Sequence, residues 1–208
     1  MGRPRGGQRE RKKEYYYQEA KKHGYRSRSA YKLKQIAKSH KLLHGVDRVV
    51  ELCCSPGGWT QVLKELDSSL QIVAVDLDAM SPVEGVKFIQ GDILDEEVIT
   101  RIEALTGGAV DLVLSDCSPK VTGQWNLDVV RQLALVEGTI GIAYRLLGNQ
   151  GKVLAKVFQG PGFQEFLKSV KERFNSVKLI KPAASRKTSA EMYLLAVGPC
   201  GRNLDCED

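Results

Sequence analysis

The stretch that most constrains the fold is a strand, a glycine turn and a helix in direct succession between residues 47 and 66. An apolar run ending at Leu52 is typical of a buried strand. The chain then breaks at Ser55-Pro56-Gly57-Gly58, and apolar residues recur at helical spacing as far as Leu66. Adjacent glycines permit positive φ and lack the Cβ atoms that would hold a ligand away from the helix N-terminus. The stretch therefore predicts a ligand-binding βα turn, although a tight turn without a ligand fits the same residues.

Strand and helix patterns alternate along the rest of the chain. Further strands are predicted at residues 71–76, 85–91, 110–115, 151–158, 176–180 and 192–197, and helices at 29–41, 96–105, 126–147 and 163–174. Such alternation favours an α/β fold with a seven-stranded, mainly parallel, doubly wound sheet and helices on both faces. The last two strands are expected to close the sheet as an antiparallel hairpin.

Positive charge is concentrated at the N-terminal end. Residues 1–41 hold 14 Lys or Arg against three Glu, a net charge of +11, while the whole chain carries +6. We therefore expect residues 1–23 to form a basic, flexible arm that binds a polyanion such as a nucleic acid, with residues 1–13 disordered when free. Tyrosines at 15–17, 25 and 31 lie among these cations, and they could stack on unpaired bases or pack the segment onto the domain. Residues 24–198 are predicted to form one domain, and residues 199–208 a frayed tail.

Composition disfavours several kinds of protein. No apolar run approaches the ~18 residues that a membrane span needs, and the Arg-rich start has no apolar segment behind it, unlike a secretory signal. We therefore expect a cytoplasmic protein that acts as a monomer without a membrane partner. The five cysteines lack zinc-ligand spacing, and a cytosolic setting disfavours disulfides. All five are expected to be free thiols, with no metal bound.

Charged residues at predicted strand ends mark the candidate site. Asp76, Asp92 and Asp116 each follow a strand, at the edge where open α/β sheets bind ligands. Asp76 is placed to accept hydrogen bonds from the two hydroxyls of a ribose. Lys156 lies inside an apolar strand, where a charge is costly, and Glu191 opens the last strand. A lone strand lysine can lie at a sheet edge with its ammonium in water, but this topology can bring Lys156, Asp116 and Glu191 to one rim.

Four motifs, in this order and spacing, resemble those of the FtsJ/RrmJ-like RNA 2′-O-ribose methyltransferases, a family of class I S-adenosylmethionine-dependent enzymes. The motifs are Ser27-Arg-Ser-Ala-Tyr-Lys32-Leu33, Pro56-Gly-Gly-Trp59, Asp116-Cys-Ser-Pro119, and Lys156-Val-Phe-Gln-Gly160 with Ser189-Ala-Glu191-Met-Tyr193. The resemblance covers roughly residues 24–198 and is closest to the large-subunit ribosomal RNA methyltransferase E group. It implies a Rossmann-like methyltransferase fold, S-adenosylmethionine as cofactor, and 2′-O-methylation of RNA, with a uridine of large-subunit (23S-type) ribosomal RNA as the expected substrate.

The resemblance also implies roles for individual residues. The family's catalytic tetrad falls on Lys32, Asp116, Lys156 and Glu191. Lys156 would be the main catalytic group, as a base or as an orienting cation, while Lys32 and Glu191 would place the substrate ribose. The cofactor contacts of the family fall on Gly57, Trp59, Asp76, Asp92 and Asp116.

One motif departs from the family pattern. The family's first motif usually reads Asp-Leu-Gly or Asp-Leu-Cys, whereas this chain has Glu51-Leu52-Cys53. Glu is one methylene longer than Asp, so we expect the loop after this strand to adjust. Cofactor binding should survive the change.

Three other functions compete with this interpretation. Relatives of the family also methylate transfer RNA, so the substrate class is open on these residues. A non-catalytic RNA-binding factor for ribosome assembly could keep the same fold, but loss of a tetrad residue would have favoured it, and all four are present. A dinucleotide-dependent dehydrogenase is disfavoured because residues 53–58 lack the G-x-G-x-x-G spacing.

Overall fold

The computed structural model describes residues 7–120, 122–185 and 189–201, which form one sheet with helices on both faces. The helices are α1 Gly7–Lys22, α2 Ala30–His40, α3 Gly58–Leu66, α4 Glu96–Thr106, α5 Trp125–Leu146 and α6 Phe163–Lys171. The strands are β1 Arg48–Leu52, β2 Gln71–Asp76, β3 Val86–Gln90, β4 Val110–Ser115, β5 Leu147–Phe158, β6 Phe174–Ile180 and β7 Glu191–Pro199. The predicted helix over 163–174 is too long, because Phe174 keeps the apolar spacing but begins β6.

The seven strands are ordered β3-β2-β1-β4-β5-β7-β6. Pairing is parallel from β3 through β5, and β7 runs antiparallel to both of its neighbours. The order reverses where β1 lies between β2 and β4, and in open α/β sheets such a reversal opens a crevice above the strand ends. The predicted seven-stranded, mainly parallel sheet with a final antiparallel hairpin is confirmed.

Two apolar cores cover the two faces of the sheet. One core packs α4, α5 and α6 on the sheet, and the other packs α2 and α3 on the opposite face. On α2 the buried residues Ala30, Leu33, Ile36 and Ala37 recur every three or four positions, so one stripe of the helix faces the sheet. Helices on both faces are thus confirmed.

Helix α1 corrects the expectation of a disordered N-terminal segment. Residues 7–13 were predicted to be disordered because they lack apolar side chains, yet they belong to a continuous helix that reaches Lys22. The composition of this segment explains the difference, since Glu, Arg, Lys and Gln are all good helix formers. At its C-terminal half the helix touches α2: the ring centroids of Tyr16 and Tyr31 are 5.4 Å apart, and Ala20 is buried. Residues 1–6 and 202–208 of the predicted arm and tail lie outside the described residues.

The expectation of five free cysteines is wrong for two of them. Cys53 follows β1 and Cys117 follows β4, and they form a disulfide with a Cα–Cα distance of 5.1 Å. Neighbouring parallel strands bring their ends within the short range that a disulfide requires, and sequence spacing does not reveal this proximity. Cys54 and Cys200 are free, and burial raises the pKa of the Cys54 thiol. Cys206 lies outside the described residues.

Candidate active site

Lys156 and Asp116 meet at the carboxyl edge of the sheet. Asp116 directly follows β4, and Lys156 lies near the end of the adjacent strand β5. The Lys156 Nζ atom donates to the Asp116 backbone carbonyl at 2.5 Å and lies 3.2 Å from its Oδ1. Only 7% of Lys156 is exposed, so its ammonium is held against this loop rather than in water at a sheet edge. The carbonyl uses one of the three donors of the ammonium and the carboxylate forms an ion pair with it, so the ammonium keeps donor capacity for another group.

Lys32 and Glu191 form a second ion pair at the same edge. Lys32 comes from α2, and its Nζ atom donates to Glu191 Oε1 at 2.6 Å. Because β7 is antiparallel, its first residue Glu191 lies opposite Phe158 at the carboxyl end of β5. Ser185 Oγ donates to the same Glu191 oxygen at 2.9 Å and holds the carboxylate in place.

Tyr193 connects the two pairs and was not predicted as a site residue. It lies opposite Lys156 in the β5–β7 pairing, is fully buried, and donates from its hydroxyl to Asp116 Oδ1 at 2.8 Å. The Lys32 Nζ atom lies 5.8 Å from the centroid of its ring. Burial and the neighbouring Asp116 carboxylate raise the pKa of Tyr193 well above its usual value, so the hydroxyl stays a donor. Its position two residues after Glu191 was the available signal, because alternate strand residues share a face.

Gln132 is a second residue that the sequence patterns did not indicate. It lies on α5, is 1% exposed, and its Nε2 donates to the Lys156 carbonyl at 2.8 Å and the Cys117 carbonyl at 3.2 Å. These bonds fix the backbone on both sides of the Lys156–Asp116 pair. A lone amide within the apolar stripe of a long helix was the signal, since buried polar groups need partners.

The predicted cofactor carboxylates lie at the ends of β2 and β3. Asp76 is half-buried, and its two oxygens each accept one backbone N–H, from Ser55 and from Asp78, at 2.8 Å. Asp92 is exposed, and its Oδ1 accepts the Leu94 N–H at 2.9 Å. Each carboxylate oxygen has a second lone pair, so both groups can accept further hydrogen bonds from a ligand.

The glycine turn is covered by the chain itself at its Cβ positions, contrary to the expectation of an open face. A Cβ on Gly57 would lie 2.7 Å from Arg26 Nη1 and 2.8 Å from Met80 Sδ, and a Cβ on Gly58 would lie 2.1 Å from Ser27 Oγ. The glycines are needed here for close packing of the segment before α2. The N–H groups at the start of α3 still have no carbonyl one turn back within the helix, so they can bind a ligand.

Trp59 lies inside the core rather than at the rim. It is 2% exposed, its Nε1 donates to the Ser29 carbonyl at 2.9 Å, and its ring lies 5.7 Å from that of Tyr193. Its side chain therefore supports Tyr193 and the start of α2. Only its backbone N–H, in the first turn of α3, is placed for a cofactor contact.

Arg26 joins two of the loops at this edge. Its guanidinium donates to the carbonyls of Ser81 at 2.6 Å, Pro82 at 2.9 Å and Pro56 at 3.3 Å. The loop after β1 and the loop after β2 are thus connected to the segment that leads into Lys32. Neither spacing nor periodicity pointed to this interaction, because its partners are backbone carbonyls.

The described residues also bear on metal binding and on membrane insertion. Within residues 7–120, 122–185 and 189–201, no group of three or more His, Cys, Asp or Glu could hold a metal ion. Over the same ranges, no helix has the length and apolar character needed to cross a bilayer.

The sequence of this chain matches a known protein family over most of its length. A family model described as FtsJ-like methyltransferase matches residues 25–199. The chain belongs to the FtsJ-like methyltransferase family. The family resemblance seen in the motifs is therefore confirmed. FtsJ-like relatives named "Ribosomal RNA large subunit methyltransferase E" include a Methanothrix thermoacetophila protein, 46% identical over 88% of this chain and 71% of its own, and a Coxiella burnetii protein, 44% identical over 90% and 91%.

Solved structures agree with the FtsJ-like fold. A Plasmodium falciparum protein assigned as a ribosomal RNA methyltransferase aligns with a TM-score of 0.77 at 25% identity, over 86% of this chain and all of its own. A Streptococcus mutans protein assigned as a methyltransferase, solved in complex with SAH, aligns with a TM-score of 0.51 at 14% identity, over 80% of this chain and 97% of its own. The second likeness concerns the fold alone.

In the FtsJ-like first motif, Glu51 and Cys53 are accommodated in different ways at the end of β1. Glu51 is 2% exposed, and Thr60 Oγ1 donates to its Oε2 at 2.6 Å. Burial, and to a lesser extent the Asp116 carboxylate, raise the pKa of Glu51 to about 8. Cys53 has a φ of 57°, in the left-handed region that favours glycine, and it is bonded to Cys117. The longer acid is thus placed inside the protein, where its carboxyl contacts Thr60.

Proposed function

We propose that this protein transfers the methyl group of S-adenosylmethionine to a ribose 2′-hydroxyl of large-subunit ribosomal RNA. The observation that carries the proposal is the convergence of Lys32, Asp116, Lys156 and Glu191 around Tyr193 at one edge of the sheet. This edge also holds the acids that follow β2 and β3. We propose that the protein acts in the cytoplasm as a monomer.

The residues present fit S-adenosylmethionine. Asp76 keeps free lone pairs at the end of β2, where a ribose diol can donate to it, and Asp92 lies beside it after β3 for the adenine edge. The first-turn N–H groups of α3, which begins after the β1 loop, would suit a carboxylate. Asp116 would supply negative charge to the cationic end of such a molecule. When bound, S-adenosylmethionine supplies a methyl group that its sulfonium already activates.

The protein's own task is to place the hydroxyl and to accept or guide its proton. Asp116 holds Lys156 through one hydrogen bond and one ion pair, and the remaining donor capacity of the ammonium can hold the ribose 2′-oxygen in line for attack. Gln132 holds the Lys156 backbone, and Tyr193 holds the Asp116 carboxylate that pairs with its ammonium. Lys156 therefore has a fixed position, which suits the alignment of a substrate oxygen. The Lys32–Glu191 pair offers a cation and a carboxylate to the neighbouring ribose and phosphate oxygens. If Lys156 acts as a base, its neutral amine takes up the hydroxyl proton. If it acts as an orienting cation, it holds the hydroxyl and the proton passes to solvent.

RNA is the substrate that this chemistry selects, because only RNA carries the 2′-hydroxyl. The net charge of +11 over residues 1–41 suits a phosphate backbone. The names of the relatives, ribosomal RNA large subunit methyltransferase E, support the large subunit as the target. Transfer RNA remains the second candidate substrate.

The deciding experiment incubates the purified protein with methyl-labelled S-adenosylmethionine and separate pools of large-subunit RNA, small-subunit RNA and transfer RNA from cells that lack the protein. We expect label in the large-subunit pool, at one ribose that primer extension can map. Label in transfer RNA alone would change the substrate class. Absence of transfer to any pool, with cofactor binding intact, would favour a non-catalytic assembly factor.

Asp76→Ala is expected to weaken S-adenosylmethionine binding by about 1–3 kcal/mol, the scale of losing hydrogen bonds to a charged acceptor. The matched control is Asp78→Ala, which removes the same charge from an exposed neighbour and keeps the backbone N–H that Asp76 accepts. Isothermal titration calorimetry measures both variants. Equal affinity in Asp76→Ala and the unaltered chain would remove Asp76 from the cofactor site.

Removal of residues 1–23 is expected to weaken RNA binding and flatten its salt dependence. These residues hold eight Lys or Arg against three Glu, and the salt slope should fall by about 0.7–0.9 for every phosphate that they neutralise. A chain starting at Gly24 keeps Lys32, so cofactor affinity should not change. Thermal stability should fall only slightly, because α1 packs on α2 mainly through Ala20 and Tyr16. Filter binding across a salt series provides the measurement, and identical slopes would show that α1 does not reach the phosphates.

A further inference from the structure

An exposed tryptophan lies beside the catalytic edge and has no part in the mechanism above. Trp125 begins α5, is 48% exposed, and stacks on Phe158 with ring centroids 6.0 Å apart and an interplanar angle of 22°. Phe158 ends β5 two residues after Lys156, so both side chains leave the strand on the same side. One face of an aromatic pair is thus presented to solvent next to the group proposed to hold the ribose.

Buried contacts place Trp125 firmly in this position. The Asp128 carboxylate is 2% exposed and accepts hydrogen bonds from the Thr122 N–H at 2.8 Å and the Gly123 N–H at 3.2 Å, which fixes the loop leading into α5. A Cβ on Gly160 would lie 2.8 Å from Val129, so the segment after β5 approaches α5 only because residue 160 is glycine. The Trp125–Phe158 stack is therefore built by the fold on both sides.

The residues near Trp125 in the chain include exposed apolar side chains and exposed cations. Leu127 and Val130 are 38% and 57% exposed on the same first turns of α5. Lys120, before the loop, and Arg131, on α5, are exposed cations. An exposed aromatic face complements the base of an unpaired nucleotide, and exposed cations on either side of Trp125 in the chain suit its phosphates.

We propose that Trp125 is the stacking platform for an unpaired RNA base at or next to the nucleotide whose ribose meets Lys156. This inference rests on the proposed function, and it adds an interaction that the tetrad does not supply. Phe158 supports the tryptophan ring from below, and the base lies on its exposed face. The 2′-hydroxyl is positioned by the base as well as by the Lys32–Glu191 pair, because stacking limits the rotation of the nucleotide.

Variants at position 125 separate stacking from simple apolar cover. Trp125→Ala is expected to weaken binding of a short single-stranded RNA about 5- to 100-fold and to raise the KM for RNA, with cofactor affinity unchanged. Trp125→Phe should restore most of the affinity, whereas Trp125→Leu should not, because leucine is apolar without a π face. The control Leu127→Ala removes an exposed apolar neighbour and should bind RNA normally. Full affinity in Trp125→Ala, or equal rescue by Leu and Phe, would overturn the proposal.

Tryptophan fluorescence gives a second readout that does not need methyl transfer. The chain has two tryptophans, and Trp59 is 2% exposed, so a change on RNA binding reports mainly on Trp125. We expect quenching by single-stranded RNA, little quenching by the same RNA annealed to its complement, and none in Trp125→Phe. Equal quenching by both RNAs would contradict base stacking. Absence of methyl transfer by the unaltered protein, with quenching present, would count against the proposed function and leave the stacking interaction supported.

Discussion

Lys156→Ala is expected to reduce methyl transfer by about a hundredfold or more, with the fold and the cofactor affinity nearly intact. Asp116 holds Lys156 at two atoms, and general acid–base or electrostatic assistance of this kind contributes roughly 10²–10⁴-fold in rate. Tyr193 still donates to Asp116 in the variant, so the carboxylate keeps a partner. Single-turnover transfer from labelled cofactor measures the effect. Full turnover in Lys156→Ala would refute the assignment.

Two further variants show what Lys156 does. Lys156→Arg is expected to fail as well, because guanidinium does not give up a proton and has a different shape. Turnover in the Arg variant alone would favour an orienting cation over a base. Lys152→Ala is the matched control: Lys152 lies on the same strand, but its Nζ donates to the Leu42 and His44 carbonyls, away from the Asp116 pair. It should transfer methyl groups at the normal rate.

Glu51→Gln is expected to abolish a large pH dependence of stability. Burial raises the pKa of Glu51 from its ordinary 4.5 to about 8 in the folded chain. Below 4.5 the group is protonated in both states, so pH has no effect through it. Between 4.5 and 8 the unfolded chain loses the proton and the folded chain keeps it, so stability falls as pH rises. The gap corresponds to a loss of about 4–5 kcal/mol, complete above pH 8.

Urea unfolding between about pH 5 and 8.5 tests this expectation. Glutamine keeps the size of Glu51 and an oxygen that can accept from Thr60, but it does not ionise. The free energy of unfolding of Glu51→Gln should therefore exceed that of the unaltered chain by an amount that grows with pH. Glu84→Gln is the control, because Glu84 is exposed. Parallel curves for all three chains would show that Glu51 is ionised in the folded state.

Much of this architecture was predictable because it depends on short-range patterns. The apolar run before Ser55, the helical spacing after Gly58 and the acids after three strands are local, and each lies where the structure has an element end. The meeting of Lys156, Asp116 and Glu191 at one edge followed from the strand topology, and Lys32 followed from the motif resemblance. Their arrangement as two ion pairs did not.

The missed features depend on interactions between distant parts of the chain. Gly57 and Gly58 looked like an opening for a ligand, but Arg26, Ser27 and Met80 occupy their Cβ positions. The Cys53–Cys117 bond depends on the adjacency of β1 and β4, which residue spacing does not encode. Helix α1 was missed for another reason: charged residues with high helix propensity also fit the composition of a disordered arm.

The Lys32–Glu191 pair joins residues 159 positions apart, from the second helix and the last strand of the sheet. A ribosome releases the chain N-terminus first, so α2 emerges long before β7 has been synthesised. Until β7 pairs with β5, Lys32 does not have its carboxylate partner, and Asp116 lacks the Tyr193 hydroxyl. An incomplete chain can expose its basic N-terminal region to RNA, but it cannot assemble the edge that would hold a ribose. The protein can therefore touch RNA before its synthesis is complete, but it can modify RNA only afterwards.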